Sequence, residues 1–462
     1  MTMAIENSAK GKVGRDALFV SLVFLYSLLA GLILQKGVLP VYFPDRSTDG
    51  LLHGLDGVTF HEMAVQQADK IREQGWSAWE WDPGWSANQP VGWVSAIYVV
   101  AGNSPGWVLP LNALVHAVTA ILLLLFLRQL GFRGWAVYAG ALPLLYFPST
   151  LTWVAQIHKD GFFILGFLSV LLGTLWIFQS ERWNKVVYGM ILLFLGMVAI
   201  ALVREYGVFL LAVALVCALL VAFLVSVSPF NRGVKLSWKR CLPMGLALLV
   251  SIPLAGFKEK ELGDKPHSVR VVDIENVEKA MDSEVSRERK PSFHWETSDW
   301  LPGFVDRSFH RLAYNREVFL VLFPDSGSIL DRDRELVNAY QVLLYAPKAW
   351  MYGILAPFPT EWLLEGSSPT GTIQRRVAGL EMMIAYFSFV GLLLYLFRNF
   401  QPSVILIIVT CLFLILPFAI SIPAVGSLYR LRYGPFALLI GIGLAWWVHK
   451  IQQGKLSDSD LS

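Results

Sequence analysis

The sequence predicts an all-α polytopic membrane protein: about ten transmembrane helices, amphipathic interfacial helices and an outer loop domain. Three observations predict it. First, the chain is 55% hydrophobic and only 16% charged over 462 residues, with mean hydropathy +0.53, whereas a soluble domain carries roughly 25% charged residues. Second, ten apolar runs approach the roughly 20 residues that a helix needs to cross hydrocarbon, and their middles are almost free of charge. Third, when the runs are threaded alternately through a bilayer, most Lys and Arg of the short loops fall on one side.

The first run, 17–38, follows the basic residues Lys10, Lys12 and Arg15. It is long for a signal peptide and lacks a small-x-small cleavage site, so residues 1–38 read as a cytoplasmic tail and a retained anchor. Residues 39–106 form a first outer segment. Within it Thr59-Phe60-His61-Glu62 fits a capping box, with Val58 and Met63 as its hydrophobic staple. Phe60, Met63, Ala64, Ala68 and Ile71 then recur at helical spacing, so 59–75 is predicted to be an amphipathic helix along the membrane surface; an ordinary surface helix is the plainer alternative. Trp76, Trp79, Trp81 and Trp85 suit the headgroup level, and Pro90 with Gly92-Trp93 begins a short apolar helix.

Residues 107–257 form a bundle, with spans at 107–127, 135–156, 161–179, 186–203, 206–227 and 241–257. Residues 258–376 form a long outer segment, highly charged over 258–290. From Trp300 it gains enough apolar surface to pack, and Pro347, Pro357 and Pro359 with Trp350, Phe358 and Trp362 suggest a rigid interfacial piece. The stretches 91–106 and 337–357 read as interfacial or re-entrant. Residues 377–450 hold the last spans, 379–397, 402–422 and 433–449, and 451–462 is a tail. The positive-inside rule then puts both termini in the cytoplasm. Arg128, Arg133, Arg182, Lys185, Arg232, Lys235, Lys239, Arg240, Arg398, Lys450 and Lys455 all lie on the inner side.

The net charge of +3 gives no reason to expect a nucleic-acid partner. Cys217, Cys241 and Cys411 lie in or beside apolar runs and support neither a disulfide framework nor a cysteine metal site. Gly-rich phosphate loops, zincin motifs and nucleophile elbows are absent.

Four constellations on the outer side can carry chemistry. Asp56 precedes the predicted helix cap, where the positive helix end favours an ionised carboxylate able to take a proton from an attacking hydroxyl; a solvated or capping aspartate is the plain alternative. Lys159 and Asp160 open the fourth span, the lysine suited to a phosphate and the aspartate to orienting it, assisting the base or holding a divalent cation. A snorkelling lysine beside a helix cap explains the pair equally well. Arg204-Glu205-Tyr206 interrupts a long apolar run at a tight outer turn, as an oxyanion ligand or as a turn salt bridge. Arg430 and Arg432 stand on the outer face against the positive-inside trend, as ligands for a lipid phosphate or as headgroup anchors. His53, His61 and Glu62 lie near Asp56. A divalent cation there stays open, but the spacing matches no strong ligand pattern, so no metal ligand and no definite cofactor is assigned. His116, inside the second span, reads as hydrogen-bonded to a neighbouring helix.

The chain resembles the GT-C superfamily of polyprenyl-phosphate-sugar-dependent glycosyltransferases, of the type found in bacterial polysaccharide loci. The likeness is carried by the first anchor, LDGVTFHEMAVQQADKIREQGW, NQPVGWVSAIYVVAG, PLNALVHAVTAILLLLFLRQLG, KDGFF and SLYRLRYGPF. It implies an inverting transfer of a sugar from a polyprenyl-(di)phosphate carrier to a lipid or glycan acceptor, at the outer face of the bacterial inner membrane. By the resemblance Asp56 takes the first-loop catalytic position, Lys159 and Asp160 line the donor site, and Arg430 and Arg432 meet the lipid-linked phosphate. Arg204, Glu205 and His61 join them as substrate-side residues. The chain departs from the family in two ways: Gly57 follows Asp56 where many members carry a second acid, and the segment 258–376 lies between spans rather than at the C-terminus. An oligosaccharide polymerase or ligase, a transporter and a non-enzymatic assembly subunit are the competing readings.

Overall fold

The computed structural model describes residues 2–53, 56–81, 90–229, 238–255, 293–324, 326–366 and 369–459. These residues are mostly helical, as expected. Eight of their helices are long and apolar enough to cross a membrane; the expected spans 135–156 and 241–257 are not among these eight. The chain divides into two compact units: Met1–Phe209 with Leu236–Phe257 and Val448–Ser462, and Leu210–Lys235 with Lys258–Trp447.

In the first unit, α1 (Thr2–Ile33) continues through a π-helical turn to Tyr42, giving a candidate span Val13–Tyr42. A two-stranded ribbon, Ser47–Thr48 (β1) with Leu51–Leu52 (β2), follows. Next come α2 (Asp56–Gln74), α3 (Pro90–Ala101), α4 (Leu109–Gln129), α5 (Trp135–Tyr146), α6 (Asp160–Gln179) and α7 (Trp183–Ala201). They are followed by the start of α8 (Glu205–Val227) and by α9 (Trp238–Ser251).

Helix α2 begins three residues earlier than the expected 59–75, so Asp56 lies in its first turn and Thr59 is already helical. Its apolar face is real: Phe60, Ala64, Ala68 and Ile71 are buried, with Met63 at the edge. Much of that face packs with Leu51, Val91, Val94, Tyr98, Val108 and Ile157, so it is covered by α3 and its neighbours.

The expected span 135–156 is a broken crossing. The residue before a proline is driven out of the α region, and Phe147, before Pro148, is extended, which ends α5 at Tyr146. A short helical turn, Leu151–Val154, and irregular buried backbone over 155–159 complete the passage. End contacts show that the segment still crosses the bundle. At one end Asp16 accepts from Arg128 Nη2 at 2.6 Å and from Tyr138 Oη at 2.7 Å, and Gln129 donates to Gln179 at 2.6 Å. At the other, Asn112 reaches the carbonyls of Trp153, Val154 and Gln156. Thus α4 and α6 run parallel, and the chain must return between them. The expected span 241–257 is likewise short: α9 ends at Ser251, two residues before Pro253, and residues 256–292 lie outside the described ones.

Helices α6 and α7 form a tight antiparallel pair. A Cβ on Gly166 would lie 2.6 Å from Gly196 O, and one on Gly173 2.5 Å from Gly189 O, so only glycine permits this backbone approach.

The second unit contains most of α8, then α10 (Gly303–Leu322), α11 (Ala339–Leu355), α12 (Pro369–Arg398), α13 (Pro402–Ser421), α14 (Val425–Leu431) and α15 (Tyr433–Ser459) up to Trp447. The stretch 337–357 is the helix α11, capped by Asn338 Oδ1, which accepts from Gln341 N at 3.0 Å. Pro347 lies within it. Trp350 Nε1 donates to Leu412 O at 2.9 Å, tying α11 to α13. The charged stretch 258–290, Trp85, Arg232 and Lys235 lie outside the described residues.

Candidate functional site

The site in the first unit is built on the irregular segment 155–159 and on what holds it. Irregular backbone at the end of a helical bundle must find partners in the protein. Gln35 Nε2 donates to Ala155 O at 2.8 Å, and Asn112 Nδ2 donates to Val154 O and Gln156 O at 3.0 and 2.8 Å. Gln156 in turn accepts from Leu52 N at 2.9 Å and donates to Gly50 O at 3.3 Å. The β1–β2 ribbon is thereby fastened to the segment that leads into α6.

Gly57 completes the seating. A Cβ there would lie 3.3 Å from Ile157 O, so the start of α2 rests directly on the segment leading to His158, Lys159 and Asp160.

Asp160 is buried in the first turn of α6, between two partners. Arg204 Nη2 donates to its Oδ1, and His158 Nδ1 lies 3.2 Å from its Oδ2. Arg204 is also buried, with its guanidinium 5.2 Å from the Phe163 ring centroid. Burial works against the arginine's charge, but Asp160, Tyr206 and Asp56 outweigh it and raise its pKa above the ordinary arginine range. Asp56 therefore lies within the electrostatic reach of Arg204. Lys159 is half-buried, its Nζ 5.5 Å from the centroid of the Phe60 ring. Four predicted residues, Asp56, Lys159, Asp160 and Arg204, are thus brought together by α2, α6 and the α7–α8 turn.

Glu205 is exposed in the first turn of α8. Arg204 makes its ion pair across the bundle with Asp160. His61 belongs to the α2–α3 interface: its Nδ1 is 2.7 Å from Tyr98 Oη and its Nε2 is 3.6 Å from Asp49. Burial lowers its pKa, against the raising effect of Asp49 and Glu62.

Beside this cluster lies a small recess, part of it open to solvent. Asn112, His116, Trp153, His158, Gly161 and Phe162 line it. Phe162 packs on Trp93 at 4.9 Å, Trp93 on Trp81 at 5.7 Å and Trp81 on Trp79 at 6.2 Å, so an aromatic run leads from the recess to the partly exposed Trp79 and Trp81. His116 Nε2 is 3.0 Å from Leu145 O on α5, the interhelical bond expected of it.

Arg430 and Arg432 belong to the second unit. Arg430 is half-buried in α14. Arg432 is fully buried, and its guanidinium donates to Tyr352 O at 3.0 Å, to Gly353 O at 2.6 Å and to Ala356 O. It lies against the rings of Tyr429 and Phe436. These bonds satisfy carbonyls at the C-terminal end of α11, as a cation there should. The same unit holds Glu381, buried within the candidate span of α12, which accepts from Tyr429 Oη at 2.6 Å.

The sequence reading passed over Asn112, Gln156 and Glu381. The signal available was a polar side chain inside or beside an apolar run. Phe163, which lies against Arg204, carries no such signal. Among the described residues no three His, Cys, Asp or Glu side chains form a metal-holding group.

No family model, curated protein or solved structure matches the chain.

Proposed function

We propose that the chain is an inverting glycosyltransferase of the inner membrane, which takes a sugar from a polyprenyl-(di)phosphate carrier and gives it to a lipid or glycan acceptor on the outer face. One observation carries the reading: a carboxylate, a lysine and a buried, ion-paired arginine meet at one end of a helical bundle, beside a recess and an aromatic run. Asp56, in the first turn of α2 and within the electrostatic reach of Arg204, acts as general base on the acceptor hydroxyl. Lys159 neutralises the leaving phosphate, which gathers charge as the glycosidic bond breaks. Asp160 and His158 fix Arg204, so that the field around Asp56 is set before substrate arrives. No second carboxylate adjoins Asp56 in sequence to serve as nucleophile, which favours a single displacement with inversion. Arg430 is retained as a candidate phosphate ligand, whereas the guanidinium of Arg432 is already engaged with three carbonyls.

The test is transfer of radiolabelled sugar from a synthetic polyprenyl-phosphate donor by the protein in proteoliposomes. Asp56→Asn lowers kcat by about 10²–10⁴ with expression intact, and Lys159→Ala raises the donor KM. Near-normal turnover by Asp56→Asn removes Asp56 as base, and no transfer from any polyprenyl donor removes the reading. A transporter is the second reading, and Glu381 favours it, because an ionisable residue buried in a span marks an ion or substrate path by default. Proton-coupled flux abolished by Glu381→Gln would select it.

A further inference from the structure

The first anchor changes its winding where it meets the site. Residues Leu34–Val38 form a π-turn, in which Leu39 N donates to Leu34 O, five residues back. Pro40 supplies the local reason: it has no N–H for Lys36 O, and in a regular α-helix its ring would press on that carbonyl. Single π-turns inside α-helices recur at functional sites. The inward residue of this one is Gln35, fully buried near the end of the candidate span Val13–Tyr42. An amide buried in an apolar helix costs free energy unless it is used. Gln35 uses its nitrogen on the site: a carbonyl only accepts, so it is Nε2 that faces Ala155 O at 2.8 Å. Its Oε1 accepts from no described residue, so the donation to Ala155 is what seats the side chain.

The backbone carbonyl of Gln35 meets the tip of the β1–β2 ribbon. A Cβ on Gly50 would run into Gln35 O, and Gly50 has a φ of +81°, so both the space and the backbone conformation call for glycine. Gln156 closes the ring, its Nε2 donating to Ala155 O at 3.0 Å and to Gly50 O at 3.3 Å. Lys159 and Asp160 follow four and five residues after Ala155, and Gly57 of α2 rests on Ile157 between them. We propose that the π-turn is the key that sets the segment 155–160, with Gln35 as a positioning residue for Lys159. The first anchor is then part of the site and not only a tether. That Lys159 serves the donor phosphate rests on the glycosyltransferase reading above; that Gln35 places it does not.

The test is Gln35→Met, which keeps length and volume and removes the donor. Gln35→Asn is the milder second variant, keeping the amide but drawing it back by one methylene. Gly37→Ala is the control in the same turn, since a Cβ there meets nothing within 4 Å. The full chain in lipid nanodiscs is read in two ways that need no substrate: hydrogen–deuterium exchange over 155–161, and the rate at which an amine-reactive ester acylates Lys159, now half-buried near the Phe60 ring. Both are expected to rise by about 2–10-fold in Gln35→Met, the range that one hydrogen bond is worth. They rise less in Gln35→Asn and stay level in Gly37→Ala. In the transfer assay Gln35→Met raises the donor KM, and raises it no further once Lys159→Ala is present. A mere loss of folded protein lowers the maximal rate in both backgrounds and leaves KM alone. Exchange and acylation at parent levels in both Gln35 variants overturn the proposal. So does a rise in Gly37→Ala as large as in Gln35→Met, or a KM effect that adds in full to that of Lys159→Ala. Both rises without any transfer keep the key and sink the enzymatic reading alone.

Discussion

Replacing Asp160 by alanine leaves the Arg204 guanidinium in a place from which water is excluded. The side chains of Asp160, Arg204 and His158 are 5%, 2% and 0% exposed, so neither partner of the lost carboxylate can turn to solvent without opening the bundle. Removing one member of a buried ion pair costs about 3–5 kcal/mol, because the other charge remains desolvated. At about 1.4 kcal/mol per decade that is roughly two to three and a half powers of ten in the folding equilibrium. Removing both members should cost far less, since an apolar pair of similar volume is often neutral. The expected order of stability is therefore parent, then Asp160→Ala with Arg204→Met, then Asp160→Ala alone. Equilibrium unfolding in mixed micelles of rising denaturing-detergent fraction measures all three. An Asp160→Ala variant within about 0.5 kcal/mol of the parent would refute the reasoning, being no more than a surface substitution costs. So would a double variant no more stable than the single one, since the harm would then not come from the stranded charge.

Gly166→Leu should destabilise by about 1–3 kcal/mol in the same assay, because its Cβ alone would press to 2.6 Å from Gly196 O and force α6 from α7; an unchanged midpoint would contradict that contact. His61 has a pKa lowered by burial from 6.5, so the unfolded chain binds more protons as pH falls below about 6.5, and stability declines with it until the folded-state pKa is passed. Thermal unfolding followed from about pH 7.5 to about 5.5 should show that decline in the parent and a flatter profile in His61→Gln. Arg432→Met should cost about 3 kcal/mol or more, the order of two hydrogen bonds to a charged group. It should also raise hydrogen exchange near Tyr352–Ala356; unchanged exchange there would free Arg432 for the phosphate role.

Much of the helical organisation was legible because it depends on local properties. The charge-free run at 161–179 and the runs around 206–227 and 402–422 became α6, α8 and α13 because a long apolar helix satisfies its own backbone wherever it sits. The amphipathic face of α2 was visible as a spacing of apolar residues. Its first residue was misplaced, because Thr59 and Glu62 imitate a cap three positions inside the helix. What that face packs against was not visible, since periodicity records that a face is apolar and not what covers it. The two proline-interrupted runs were counted as whole spans because hydropathy averages over a break that backbone sterics enforce. Pro148 was there to be read; that the chain nonetheless crosses the bundle emerged only from the contacts of Asp16 and Asn112 at opposite ends.

Composition and charge placement by themselves determined that this is a helical, multi-pass membrane chain, and they marked Asp56, Lys159, Asp160 and Arg204 as residues worth attention. Those features belong to single segments, and a bilayer filters segments one at a time. Only the tertiary structure decided that Arg204 pairs with Asp160 while Glu205 beside it is exposed, and that Arg432 caps α11. Such pairings depend on which distant segments the packing of glycine-lined helices brings within a few ångströms, and no property of either segment alone carries that information.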